Sequence, residues 1–446
     1  MKNYFIGLCG LVLLAVSSCR KVDDSSVFGQ SPDQRINETL AKYQAQLSGA
    51  QYGWKGIVAT NEGGNFTFYF SFNDSNRVKM LSSFDSTSAT VLKESSFRLK
   101  ALQQPSLLFD TYSYIHQLAD PNPAVNGGEA GVGLGSDFEY WFNGAESSAD
   151  TIVLMGTINR TKTKLIRATQ QERDDFLNGE LAGGLAINKI LNYYKRFVVN
   201  GTDSTDAFIF SRGSYIIRPD DNGNLLDDSR GVTYTLKLGG LEFSEPILVG
   251  TKTISELSNV NYDAATNTIT ATGDGQPVKI SGVITPMKVD VAAPARWWNF
   301  AFDAGSYWIT EQGFHINGVD DAHGLANIPG YFGFSIFWPQ YGVSGGVNYD
   351  LLAPITPNAA GAAAIRFGAA YRPPVFSADG RVTFPLLGTL GTANIPASAT
   401  GIFGNLRAQM AITQGYYLVQ IDDNEAAPAY HMVSAADGLA WVTWVY

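Results

Sequence analysis

"NFTFYFSFND", residues 65–74, places Phe66, Phe68, Phe70 and Phe72 at every second position. Successive side chains of a strand point to opposite faces, so the four rings share one face. The run is a strand with one oily side, and its neighbours repeat the pattern. "RVKML" (77–81), "SSFRLK" (95–100), "PSLLFDTY" (105–112), "SDFEYWF" (136–142), "DTIVLMG" (150–156) and "TKLIRAT" (163–169) are short apolar segments separated by Gly, Asn, Asp and Ser. Upstream, Ser31-Pro32-Asp33-Gln34 opens a helix: Ser31 caps, Pro32 suits the first turn and Gln34 completes a capping box. Ile36, Leu40, Tyr43 and Leu47 then share a face, and Gly49 ends it. Residues 31–170 are therefore expected to form a helix followed by an antiparallel meander.

Residues 171–290 are expected to repeat that plan. Thr169 and Glu172 form a second capping box, and Gly183-Gly184 breaks the helix. The spacing of Ile187, Ile190, Leu191, Tyr194, Phe197 and Val198 predicts that the helix resumes and ends at Asn200-Gly201. "AFIFS", "SYIIRP", "VTYTLKL", "NTITATG" and "VKISGVI" follow as strands. The segments 97–118 and 234–257 both open on an aromatic-x-Leu-Lys, carry Pro-x-Leu in the middle and end on Ile-x-x-Leu. "TIVLMG" at 151 and "TITATG" at 268 correspond as well. These pairs point to a duplicated helix-plus-meander unit.

Residues 291–446 form an aromatic-rich C-terminal β region. Trp297, Trp298, Trp308, Trp338, Trp441 and Trp444 lie there. Asp379-Gly380 marks a hairpin turn, and in "LAWVTWVY" Trp441 and Trp444 fall on opposite faces. The fold class is mainly β with a few helices. At this length the chain needs two or three cores.

The first residues give an address. Lys2 precedes an apolar run from Phe5 to Val16, too short to span a bilayer as a helix. Val16-Ser17-Ser18-Cys19 resembles the bacterial lipobox, which implies a signal peptide over 1–18 and a lipid on Cys19. Cys9 leaves with the signal, so the mature chain has one thiol and no disulfide partner for it. Several acyl chains make such an anchor stable. Residues 19–30 read as a lipidated tether. Asp23 and Asp24 resemble the acidic signal that sends Bacteroidetes lipoproteins to the outer face of the outer membrane; the periplasmic face is the alternative. The formal net charge of −10 argues against nucleic acid, whose binding rests on neutralising phosphates. Charged residues at 16 % and aromatics at 12 % describe a folded chain, not a disordered one.

Several segments are similar to one uncharacterised family, a domain of unknown function of Bacteroidetes lipoproteins. They are "RINETLAKYQAQL" (35–47), "GWKGIV" (53–58), "LLFDTYSYIHQLADP" (107–121), "GSDFEYWF" (135–142) and "DTIVLMGT" (150–157). The resemblance is firmer before residue 170 than after it. It implies a surface lipoprotein beside a TonB-dependent uptake system in the outer membrane. It supplies no catalytic residues.

Chemistry-bearing residues are sparse. "FHINGVDDAHG" (314–324) gathers His315, Asp320, Asp321 and His323, the weak metal candidates; the spacing matches no metalloprotease motif. "PDDNGNLLDD" (219–228) lacks the Gly and closing Glu of a calcium loop and reads as a turn. Asp137 and Glu139 read as alternating exposed acids on a strand. No catalytic residue, metal or cofactor is assigned. Trp297, Trp298, Trp308 and Trp338 are the candidate ligand-binding rings. Adjacent Trp297 and Trp298 on a strand cannot both face one core, so at least one of the four rings is expected on a concave surface. The reading is a non-catalytic lipoprotein that captures an extracellular ligand. A cell-surface hydrolase of glycans or peptides and a structural envelope protein are the alternatives.

Overall fold

The computed structural model of the chain describes residues 31–61, 64–210, 214–226 and 230–446. The expected signal peptide, tether and Cys19 lie outside the described residues. Helix α1 (Pro32–Ser48) begins on the capping box read from the sequence: Ser31 Oγ accepts the Gln34 N–H and Gln34 Oε1 accepts the Ser31 N–H. Its last turn is tied to the following strand by the Trp54 indole N–H, which donates to the Leu47 carbonyl at 2.9 Å.

Strands β1 (Trp54–Ala59), β2 (Asn65–Phe72), β3 (Arg77–Ser82), β4 (Lys93–Ala101), β5 (Pro105–Phe109), β6 (Glu139–Phe142), β7 (Thr151–Gly156) and β8 (Lys162–Arg167) each pair with the next. Strand β8 returns to β1, and all of these seams are antiparallel. The result is a closed up-and-down barrel, which leaves no sheet edge exposed along its wall. The four phenylalanines of β2 all point into it. Phe68 and Phe70 stack with centroids 5.2 Å apart. Gly56, opposite Phe68, makes the room: a Cβ there would lie 2.6 Å from Phe70 Cε2.

The second barrel repeats the first strand for strand. It comprises β9 (Tyr194–Val199), β10 (Asp203–Phe210), β11 (Tyr215–Ile217), β12 (Gly231–Lys237), β13 (Gly240–Val249), β14 (Lys252–Asp263), β15 (Thr268–Gly273) and β16 (Gln276–Val283), with β16 closing on β9. The paired motifs at 97–118 and 234–257 cover β4–β5 and β12–β13, and the "TIVLMG" and "TITATG" segments are β7 and β15. Side chains fill both barrels, as an eight-strand circumference allows. Among the described residues the barrels are therefore cores, not cups.

Helix α2 (Gln170–Leu177) starts on the Thr169/Glu172 capping box and lies between the barrels. Phe176 on it stacks on Tyr69 at 5.3 Å. Gly184 allows a short turn to touch β13, because a Cβ there would sit 2.1 Å from the Gly240 carbonyl oxygen. The helix expected to resume through Val198 does not form. A 3-10 turn covers Leu185–Lys189, and Tyr194–Val199 is strand β9. The stretch "YYKRFVV" is aromatic and β-branched, and pairing with β10 and β16 decides its state. One parallel contact, Thr235 opposite Asn65, joins β12 to β2 and makes the two barrels one sixteen-stranded sheet among the described residues.

The C-terminal unit is a separate antiparallel sheet wrapped on helices α3 (Ala293–Asp303) and α4 (Thr400–Met410). At its middle, strand Ala440–Val445 lies between Ala429–Ser434 and the strands at Trp308–Thr310 and Phe314–Ile316. The hairpin at Asp379-Gly380 forms, joining Val375–Phe376 to Arg381–Thr383. Here the expectation for Trp297 and Trp298 is corrected. Both lie on α3, not on a strand, and neighbours about 100° apart on a helix can both be buried when the helix is sunk in a core. Trp297 is fully buried, and Trp298 donates its indole N–H to buried Asp350 at 2.8 Å. Trp308 is fully buried too and stacks on Trp297 at 5.7 Å. Trp338 is half-buried between Tyr307 and Tyr341.

Candidate functional site: a cleft where the three units meet

A cavity of about 650 Å³ opens where the loop before β6 of the first barrel, one end of the second barrel and the outer face of the C-terminal sheet come together. The last strand supplies its far wall. Alternation along Ala440–Val445 sends Trp444 into the C-terminal core and Trp441 and Thr443 to the cavity. Next to Trp441, the His315 imidazole stacks on the indole with centroids 3.7 Å apart. The Asn317-Gly318 turn, with both residues at positive φ, folds the chain back so that Asp320 meets His315 Nδ1 at 2.7 Å. A second cavity of about 300 Å³ adjoins on the other side and shares Gln312, His315, Asp320, Trp441 and Thr443.

The second barrel supplies the near wall. Tyr193 is buried, and its hydroxyl lies 2.7 Å from His431 Nδ1. Burial raises the Tyr193 pKa, so the phenol keeps its proton and donates it. Burial pushes the His431 imidazole down to about 4, so it is neutral and carries its proton on Nε2. Tyr193 meets Trp441 edge-on at 5.5 Å and packs against Phe208 at 4.6 Å. Phe210, 51 % exposed, and Leu191, 38 % exposed, present apolar surface at the rim. Lys195 also lines the cavity although it is 95 % buried.

The structure brings three of the residues singled out in the sequence to this place: His315, Asp320 and Asp321, the last on the smaller cavity. Asp321 is occupied in the turn that follows, accepting the N–H groups of Leu325 and Ala326. His323 packs behind Phe314, away from both cavities, with burial lowering its pKa. Among the described residues no group of three or more His, Cys, Asp or Glu side chains is placed to hold a metal. Trp297, Trp298, Trp308 and Trp338 line neither cavity.

Of two other expectations, the turn at 219–228 holds over its described residues and the exposed Asp137 does not. Asp220 accepts the N–H groups of Asn222 and Asn224, so its carboxylate serves a turn; residues 227–229 lie outside the described residues. Asp137 is not an exposed acid: it is 3 % exposed and accepts the N–H groups of Ile158 and Asn159 and the Thr161 hydroxyl. It holds the β7–β8 hairpin and cannot act with Glu139 on a substrate. Sequence reasoning missed Tyr193, Lys195, Phe208 and His431. Reading 193–199 with a period of two would have placed Lys195 among core residues, which is the signal that was there.

Residues 24–261 match the family described as "Domain of unknown function (DUF4302)", more than half of the chain. The chain belongs to the DUF4302 family. The DUF4302 match covers the first barrel and the second as far as β14, and the C-terminal sheet lies beyond it. No curated protein sequence matches the chain. Among solved structures, intact Ap-TbpB (N and C lobes) is 9 % identical, with 88 % of this chain and 75 % of that chain covered and a TM-score of 0.13. A mutant of Transferrin Binding Protein B from Haemophilus parasuis Hp5 is 11 % identical, with coverage of 88 % and 74 % and a TM-score of 0.14. At these scores neither neighbour bears on the fold or the function of this chain.

Proposed function

We propose that this chain is a lipid-anchored, non-catalytic binding protein whose ligand enters the cleft between the barrels and the C-terminal sheet. The observation that carries the reading is the cleft itself. Its volume suits a small molecule, its walls are aromatic, and a few polar groups converge on it, as in ordinary ligand sites. The lipobox-like segment ending at Cys19 supports a lipid anchor, and Asp23 and Asp24 after it support the outer face of the outer membrane. The resemblance of the early segments to surface lipoproteins supports a place beside a TonB-dependent uptake system, in nutrient capture. A second reading, a surface hydrolase, draws on the His315–Asp320 pair at the cavity wall.

A library of glycans, peptides and small acids, screened by thermal shift on the mature chain, tests the proposal. Binding stabilises the folded state by mass action. A ligand that raises the melting temperature of the wild type, but not of Phe210→Ala, supports the cleft. Phe210 is exposed, so its removal leaves the fold intact. Equal shifts in both proteins place the ligand elsewhere. Turnover of the bound compound, lost in His315→Ala, would favour the hydrolase.

A further inference from the structure

Lys195 is the residue of the cleft that its surroundings do not explain. It lies on β9 with the parity of Phe197 and Val199, whose side chains fill the second barrel. That position calls for an apolar residue, yet it holds a lysine that is 95 % buried. Among the described residues no carboxylate and no hydrogen-bond acceptor is paired with it; its nearest aromatic neighbour is the Phe208 ring, 5.7 Å from Nζ. Burying a charge without a partner is costly, and proteins keep such groups where a partner arrives. Lys195 lines the cavity, so a partner can reach it from there.

We propose that the cleft takes a ring-bearing carboxylate, with the anionic group paired to Lys195 and the ring against Phe210 and Trp441. The proposal rests on the cleft being the binding site. The Phe208 ring links the two halves of this site, lying 5.7 Å from the ammonium and 6.3 Å from the Trp441 indole, so one small ligand reaches both. Burial alone pushes the Lys195 pKa down to about 8, so the ammonium is still charged near neutral pH and an entering anion restores its usual basicity. The carboxylates lining the larger cavity do not fill that role. Asp320 is engaged by His315, and Glu129 stands exposed on the rim. Burial keeps Tyr193 and His431 neutral, so neither competes for the anion.

Matched probes test this on the mature chain by calorimetry. Naphthoate is compared with naphthalenemethanol, and digalacturonate with neutral galactobiose; the pair that responds tells an aromatic acid from a sugar acid. In at least one pair the acid is expected to bind wild type at least about tenfold tighter, the worth of one charge-assisted contact. Lys195→Met is expected to erase that preference while keeping or raising the melting temperature, since it removes an unpaired buried charge. Lys195→Gln is the second neutral variant, and Phe210→Ala should weaken both members of the pair alike. Equal binding of acid and neutral probe, or a preference that survives both Lys195 variants, overturns the anion assignment and leaves the cleft standing. Failure of all four probes on wild type overturns the ligand class, and the thermal-shift screen then decides the cleft separately.

Discussion

Trp297 and Trp441 show how the same side chain takes opposite parts. Trp297 sits at the centre of the C-terminal core, within 6.1 Å of the rings of Trp308, Phe337, Phe384 and Trp444. Trp297→Ala is expected to cost about 3–5 kcal/mol in chemical denaturation, the usual cost of emptying a large buried site. A loss below about 1 kcal/mol would mean that the ring is not packed as described. Of the tryptophans of this region, Trp441 lines the cleft, whereas Trp297, Trp298 and Trp308 are buried in the core. The opposed faces of Trp441 and Trp444 were legible from alternation alone. The state of "ARWWNFAF" was not, because a short apolar run suits a buried helix as well as a strand.

Among the elements, those whose signals are local were readable. The capping boxes at Ser31 and Thr169 and the turn at Asp379-Gly380 stand where their residues place them. Strand β9 was missed because its neighbours, not its own residues, fix it. The strand Ala429–Ser434 has a consequence that depends on pH. His431 on it is held neutral, its pKa lowered by burial from 6.5 to about 4. A depressed folded-state value means that the unfolded chain takes up the proton first on acidification. The stabilisation tied to neutral His431 is therefore present above pH 6.5 and lost as the pH falls toward 4. His116 and His323 are lowered too and act with the same sign. The readout is thus the difference between wild type and His431→Gln: the variant should lose less stability between these limits. Parallel curves would remove His431 from the account.

For the whole molecule, the duplicated plan was visible in paired motifs, whereas the cleft was not. It is built from residues of three units whose approach no local pattern records. The proposed anchor is the opposite case: it is read from the sequence alone and lies outside the described residues. Cys19→Ala is expected to release the protein from membranes, and metabolic labelling with a fatty acid should mark the wild type and spare the variant. Equal labelling of both would refute the anchor.

The position of strand Ala440–Val445 has a consequence for the order in which the molecule assembles. In each barrel every seam but the closing one joins strands that are consecutive in the chain. Most such seams close short loops at small entropic cost, the connection from β5 to β6 being the long one. The wall of the cleft is different: Ile309 pairs with Val445, and His315 pairs with Trp441. Those seams close a longer loop than any seam of either barrel, the closing ones included, and non-local pairing of this kind is slow. The barrels can thus settle first, and the C-terminal sheet completes the wall of the cleft last. A folding intermediate with both barrels formed would be compact and protease-resistant over much of its length, yet would lack the cleft.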